Sequence, residues 1–312
     1  MAKILISEKV HPAGPALLTA AGHEVIYLEH RDQKELAEKL KEVDALLVRV
    51  MDVSREMIEN APNLKMISKH GVGVDNICMD ACKERGVVVT ITPGANSQAV
   101  AEHTFALLMT LAKNVIPVSD AYRKIGFEAK NYKEGTELEG KTLGIIGCGR
   151  IGSRVAKMGY GGFDMEVLVY DPYLDTVPQG CKKVENLEEL LSRSDFVTLH
   201  APLTQETQHI IDAKALAAMK PTAYLLNCAR GPMIDEEALI AALKEGKLAG
   251  AGLDVTEAEP ADPKNPLFEM SNVILTPHYA PSTVDTAVKV STIGCQNLVA
   301  YFAGQEMVGR LV

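Results

Sequence analysis

At 312 residues the chain exceeds what one hydrophobic core usually organises, so two domains are expected. Hydrophobic residues make up 47% and charged ones 23%, an ordinary globular balance, while a net charge of −9 argues against nucleic acid or an anionic membrane surface as partner. An anionic ligand must then be drawn in by locally placed cations rather than by the overall field.

Residues 3–7 read as a strand, 12–21 as a helix closed by Gly22, and 23–28 as a second strand. A helix over 34–42 carries charge on its outer face, residues 45–50 form a third strand, and Ser54 caps a helix that runs to Asn60. Residues 66–68 are strand-like and lead into His70-Gly-Val-Gly-Val-Asp75. There Gly71 and Gly73 either expose the Val72 and Gly73 N–H groups as a nest for a carboxylate or phosphate, or form a plain loop. A further strand spans 87–91. This alternation implies an α/β unit with a parallel sheet. Asn96 or Ser97 caps a helix over 98–114 that is apolar nearly all round, which implies burial, expected against the other domain. His103 within it reads as a satisfied interface histidine rather than a ligand. Residues 119–140, with Gly126 and Gly135, are expected to form a surface loop.

Residues 143–146 then form a short, fully apolar strand, followed at once by Gly147-Cys-Gly149-Arg-Ile-Gly152 and a helical pattern. In such a G-x-G-x-x-G turn the first glycine permits the tight turn, the second lets backbone approach a pyrophosphate, and the third lets helix pack on sheet. The positive end of that helix suits the pyrophosphate. A second strand ends in Asp171, at the spacing where an acid accepts from both ribose hydroxyls and repels a 2′-phosphate, so NAD is the expected cofactor. Strands over 196–200, 223–228, 249–255 and 272–276 alternate with helices over 187–193, 213–219 and 235–244. Six strands with crossover helices make a doubly wound sheet. A last helix over 282–302 returns the chain to the first domain. The expected architecture is thus two doubly wound α/β domains: a Rossmann NAD-binding domain, 98–281, inserted in a flavodoxin-like substrate domain, 1–97 plus 282–312.

The six cysteines (Cys78, Cys82, Cys148, Cys181, Cys228 and Cys295) include no C-x-x-C pair, so reduced thiols and no metal site are expected. The N-terminal residues enter a strand without a signal-peptide apolar region and no apolar run reaches membrane-spanning length, which points to the cytoplasm.

Ligands of such a sheet lie outside the carboxyl ends of its strands. There the fourth strand ends in Asn227-Cys-Ala-Arg230-Gly, the fifth in Asp254 with Glu259 just beyond, and the sixth in Thr276-Pro-His278. An arginine, an acid and a histidine converging on one mouth suit hydride transfer between NAD and a 2-hydroxy or 2-oxo acid. His278 can supply a proton to the nascent alkoxide and Glu259 can fix its tautomer. Arg230 can grip a carboxylate with paired N–H donors, and Asp254 is left free for the nicotinamide amide. A dinucleotide-sensing protein or a methyltransferase could reuse the glycine-rich turn, but neither gives all of these residues a role.

These motifs, with Asp254-Val-x-x-x-Glu259-Pro and Pro277-His278, resemble the D-isomer-specific 2-hydroxyacid dehydrogenases from about Leu46 to Pro281. Within that family the chain is most similar to D-3-phosphoglycerate dehydrogenases and hydroxypyruvate reductases, through His70-Gly-Val-Gly-Val-Asp-Asn76 and Asn227-Cys-Ala-Arg-Gly. The resemblance implies that Arg230 binds substrate, Glu259 supports the histidine and His278 donates the proton. It implies cofactor contacts at Arg150, Ile151, Asp171, Ala201, Cys228, Ala229 and Asp254, and substrate carboxylate contacts at Val72 and Gly73. It also implies a homodimer formed through the nucleotide-binding domains. His278-Tyr-Ala-Pro281 departs from the commoner His-x-Gly/Ala-Ala/Gly. No regulatory domain follows Val312, so control by a bound amino acid is not expected. A phosphorylated substrate would need cations near Val72 and Gly73, and Arg49 and Lys69 are the candidates. Glyoxylate, pyruvate or sulfopyruvate would suit the same groups.

Overall fold

The structure, a computed structural model, describes all residues 1–312. In chain order it begins with β1 (Lys3–Ile6), α1 (Ala13–Ala20), β2 (Glu24–Tyr27), α2 (Gln33–Leu40), β3 (Ala45–Val48), α3 (Arg55–Glu59), β4 (Met66–Lys69), α4 (Met79–Arg85) and β5 (Val88–Thr90). There follow α5 (Ser97–Ala112), α6 (Val115–Ile125), β6 (Thr142–Ile146), α7 (Gly152–Phe163), β7 (Glu166–Tyr170), β8 (Cys181–Lys183) and α8 (Leu187–Arg193). Then come β9 (Phe196–Leu199), α9 (Ala213–Ala218), β10 (Tyr224–Asn227), α10 (Glu236–Lys244), β11 (Gly250–Leu253), β12 (Val273–Leu275) and finally α11 (Val284–Phe302). The chain divides into two compact units, Met1–Asn96 with Ser282–Val312, and Ser97–Pro281.

In the first unit the strand order is β2-β1-β3-β4-β5, every pair parallel, which is the flavodoxin-like winding. β3 and β4 are buried at all four positions, as central strands covered on both faces must be. Asp32 and Ser54 cap α2 and α3 with side-chain oxygens, satisfying N–H groups that a helix start leaves orphaned. The helix α4 has no counterpart among the expected elements, because its sequence MDACKER buries only Ala81 and Cys82 and shows little periodicity. Gly86, at φ 66°, ends it. α11 belongs to this unit: Ser68 Oγ donates to the Gly294 carbonyl at 2.9 Å and Ser291 Oγ to the His11 carbonyl at 2.6 Å.

In the second unit the order is β12-β11-β10-β9-β6-β7-β8, again all parallel. Counted within the unit this is the Rossmann order with a seventh strand at one edge. The seventh is β12; at the other edge β8, third in the Rossmann count, has no counterpart among the six expected, since Cys-Lys-Lys carries no strand pattern and pairs only with β7.

Two expectations need correction here. The long apolar helix α5 is buried against its own sheet and α7. A Cβ on Gly252 of β11 would stand 3.1 Å from Leu107 and 3.2 Å from Leu111, and Phe105 stacks on Phe163 at 5.1 Å. The expected surface loop over 119–140 begins instead as the helix α6, followed by a 3-10 turn over Gly126–Asn131. Gly126 is the C-cap of that helix, at φ 66°, rather than the centre of a loop. No helix is long and apolar enough to cross a membrane.

The α1–α11 contact tolerates no side chain at Gly14, where a Cβ would lie 2.4 Å from the Ser291 carbonyl oxygen, whereas a Cβ on Gly161 in α7 would meet nothing within 4 Å. Gly14→Ala should therefore destabilise the protein by about 1–3 kcal/mol, while Gly161→Ala should stabilise it by about 0.5–1 kcal/mol through helix propensity. Denaturant unfolding of the two variants measures both, and equal effects would contradict the packing described.

Candidate active site

The dinucleotide cradle lies between β6 and α7. Gly147 turns the chain at φ 84°, a conformation costly for other residues, and a Cβ there would lie 2.6 Å from the Ala201 amide nitrogen. A Cβ on Gly152 would strike the Gly147 carbonyl oxygen at 2.2 Å, so helix and turn pack as closely as backbone allows. A Cβ on Gly149 would instead face open space. No side chain caps α7, so its first-turn N–H groups are not answered by the protein's own acids. That combination fits a pyrophosphate. Asp171, just past β7, accepts from the Cys148 amide at 2.9 Å and from the Tyr173 amide at 3.0 Å. It thus braces the glycine-rich turn besides standing at the ribose position of the fingerprint.

At the carboxyl end of β10, buried Asn227 shapes the arginine turn: its Oδ1 accepts from the Ala229 amide and its Nδ2 donates to the Arg230 carbonyl, both at 2.9 Å. Arg230 is half-buried and one guanidinium nitrogen donates to the Ala229 carbonyl at 2.8 Å. A Cβ on Gly231 would stand 1.7 Å from the Thr256 carbonyl oxygen, so the arginine turn is locked against the segment that leads to Glu259. A second tie crosses the same loops. His209 Nε2 lies 2.8 Å from Glu257 Oε1, and the Glu257 amide donates to Glu236 Oε2 at 3.0 Å.

His278 and Glu259 meet as their placement suggested. His278 Nδ1 is 3.1 Å from Glu259 Oε2, both side chains being about half exposed. His278 adopts φ 52°, the left-handed region that non-glycine residues seldom enter. The surroundings that impose this conformation centre on Asp254, and here an expectation fails. Asp254 is not free. It is 1% exposed and its Oδ1 accepts from the Thr276 hydroxyl at 2.5 Å and the Tyr279 amide at 2.7 Å. Its Oδ2 accepts from the Ala280 amide at 2.9 Å, and its carbonyl accepts from the His278 amide at 2.7 Å. The carboxylate therefore holds the loop that carries His278. Neither Asn227 nor Thr276 was singled out from the sequence, although a polar residue at a buried strand end is the signal that could have found them.

In the first unit, Val72 is exposed and Gly73 half-buried, and Gly71 is fixed by its carbonyl, which accepts from the Thr92 amide at 2.8 Å. Arg49 is exposed. Lys69 does not match its expected role as a phosphate ligand. It is 8% exposed, and its ammonium donates to the Arg49 carbonyl at 2.5 Å and to Asn76 Oδ1, so it staples two loops. A nest that the sequence did not reveal lies nearby. The amides of Arg49, Val50 and Met51 all donate to the Glu8 carboxylate, at 2.9, 2.8 and 3.1 Å. Burial alone would raise the Glu8 pKa, but these bonds and one from the Ser7 hydroxyl outweigh it and hold it below the usual range.

Two histidines, one in each unit, are kept neutral. Burial, helped by nearby Arg49, pushes His70 down to about 4, and burial pushes His200 down to about 3. Burial likewise raises the Cys148 thiol to about 11 and the Cys228 thiol to about 12, so neither is a nucleophile at neutral pH.

Residues 105–280 match the family described as D-isomer specific 2-hydroxyacid dehydrogenase, NAD binding domain. A D-3-phosphoglycerate dehydrogenase from Methanocaldococcus jannaschii is 42% identical over 98% of this chain and 58% of its own length. The chain thus spans little more than half of that relative. A glyoxylate reductase from Thermofilum pendens is 38% identical over 97% of this chain and 92% of its own length. The crystal structure of the TT0316 protein from Thermus thermophilus superposes with a TM-score of 0.89 at 35% identity, covering 99% of this chain and 100% of that one.

Because Asp171 stands at the ribose position and also braces the turn, Asp171→Ala should narrow the preference for NADH over NADPH and weaken both; an unchanged ratio of kcat/KM would place discrimination elsewhere. For His70 the folded value lies below that of the unfolded chain, so the unfolded state binds more protons between pH about 6.5 and 4. Stability from the neutral imidazole is complete above that window and is lost as pH falls through it, by up to about 1.4 kcal/mol per pH unit. Urea unfolding at stepped pH should show a shallower loss in His70→Asn than in the parent, and parallel curves would contradict this.

Proposed function

Because the chain belongs to the D-isomer-specific 2-hydroxyacid dehydrogenases, we propose that it interconverts a D-2-hydroxy acid and its 2-oxo acid, with NAD as the hydride carrier. The observation that carries this is the His278–Glu259 pair, 3.1 Å apart, on the sheet that also bears the glycine-rich cradle. Gly147, Gly149, Arg150, Ile151, Gly152, Asp171, Ala201, Cys228 and Ala229 would hold the dinucleotide. When bound, its nicotinamide supplies hydride for the substrate's C2.

The remaining tasks fall to side chains and amides of the chain itself. Nδ1 of His278 faces Glu259, which leaves Nε2 to deliver the proton to the nascent alkoxide, or to take it in the oxidative direction. The Glu259 carboxylate fixes that tautomer and stabilises the imidazolium form. Arg230 offers its forked donors to the substrate carboxylate and carbonyl, and the Val72 and Gly73 amides are the proposed further carboxylate contacts.

Beyond C2, two branches remain: phosphohydroxypyruvate with 3-phosphoglycerate, or an acid with no charge besides its carboxylate, such as hydroxypyruvate or glyoxylate. The relatives include enzymes named for both branches. The second branch is favoured by Lys69, whose ammonium is engaged by Arg49 and Asn76, leaving Arg49 as the one expected phosphate cation on the surface. A non-catalytic NADH sensor is the rival from another class, and the paired histidine and glutamate weigh against it. The chain is also proposed to form a homodimer through its second unit, where α6 and the following turn expose Val115, Ile116, Tyr122, Ile125, Phe127 and Tyr132.

NADH oxidation against phosphohydroxypyruvate, hydroxypyruvate, glyoxylate, pyruvate and sulfopyruvate tests the reading. Turnover should be fastest with an acid that carries no charge besides its carboxylate. A clear preference for the phosphorylated one would return Lys69 and Arg49 to the phosphate site, and tight NADH binding without turnover would favour the sensor. His278→Ala should abolish reduction while NADH still binds, and a retained rate would remove His278 as the acid.

A further inference from the structure

One titratable side chain beside the acid loop has no part in the chemistry above. His103 projects from α5, the buried helix that packs on β10 and β11. Its side chain is 17% exposed. Its Nε2 lies 3.0 Å from Thr276 Oγ1 and 3.5 Å from Asp254 Oδ1. The Thr276 hydroxyl hydrogen is spent on Asp254 at 2.5 Å, so Thr276 can only accept from His103, which fixes Nε2 as the donor. The ring also meets Tyr279 edge-on, with centroids 6.2 Å apart. His103 thus touches the residues on both sides of Pro277-His278.

We propose that His103 is a positioning residue for the proton donor: from α5 it holds Thr276, and through Thr276 the Asp254 carboxylate, in the arrangement that keeps the left-handed His278 turned toward Glu259. The physical need is specific. Asp254 is a buried carboxylate answered by two amides and one hydroxyl, and that hydroxyl points correctly only if its own lone pair is satisfied from behind. Without the His103 donor, Thr276 is free to rotate, Asp254 loses one of its three bonds, and the strained φ of His278 is less firmly imposed. A catalytic acid displaced by a fraction of an ångström still binds its surroundings but transfers its proton poorly.

The inference rests on His278 being the acid, and the test separates the two. His103→Leu keeps the bulk and removes the donor, whereas His103→Gln keeps an N–H at similar reach. His103→Leu should lower kcat for 2-oxo acid reduction by about 10- to 100-fold, with KM and the NADH dissociation constant each changed less than about threefold. His103→Gln should recover most of the loss. Thr276→Val should reproduce the effect, and the double variant His103→Leu/Thr276→Val should be no worse than the poorer single, because both break one chain of contacts. Thermal melting and NADH fluorescence confirm that each variant is folded. An unchanged kcat in folded His103→Leu, additive losses in the double variant, or a loss appearing only as weaker NADH binding would each overturn the proposal. If His278→Ala itself retained activity, the acid assignment would fall instead.

Discussion

A single buried carboxylate sets the geometry on which the rest of the site depends. Asp254 ends β11 with almost no exposure, and it accepts from the hydroxyl and amides of three residues on the loop that follows β12. Taking a charge out of water is costly unless hydrogen bonds answer it, so the loop cannot leave without exposing that penalty. The bonds to Asp254 thereby oppose the backbone strain of His278, which lies at φ 52° and would relax to an ordinary conformation in a looser loop.

Around that anchor, the polar groups of the second unit sort by exposure. His278, Glu259 and Arg230 are half-buried or exposed and able to meet a ligand, whereas Asn227, Asp254 and Thr276 are turned inward and shape the turns that present them. Gly231 does by absence what these do by bonding, since only hydrogen fits against the Thr256 carbonyl. Parallel strands ending at one edge bring all of these turns to the same mouth, which is why residues from separate loops can act together. In the first unit the equivalent edge is occupied by the protein's own charges: Glu8 fills the nest of amides 49–51 and Lys69 staples Arg49 to Asn76.

The sequence made some of this legible and hid the rest for identifiable reasons. The glycine-rich turn, Asp171 and the succession of strands were readable because each depends on spacing within a short stretch. The meeting of His278 with Glu259 could be anticipated because the winding rule puts both at one edge. The engagement of Asp254, the burial of Lys69 and the nest around Glu8 were not, because each depends on which strands neighbour one another and how their loops pack. Glu8 and the amides it binds are more than forty residues apart. The helix α6 was missed since its apolar residues stay exposed, so no buried stripe announced it. β8 was missed because an edge strand of Cys-Lys-Lys takes its conformation from β7 rather than from its own residues.

The proposed reaction moves hydride from NADH to one face of C2 of a 2-oxo acid and a proton from His278 to its oxygen. Chiral analysis of the product formed from hydroxypyruvate, with NADH consumption followed in the same reaction, tests it most directly. The D-isomer of glycerate, formed one for one with NADH oxidised, is the expected result. An L-isomer or racemic product, or no glycerate despite bound NADH, would contradict it.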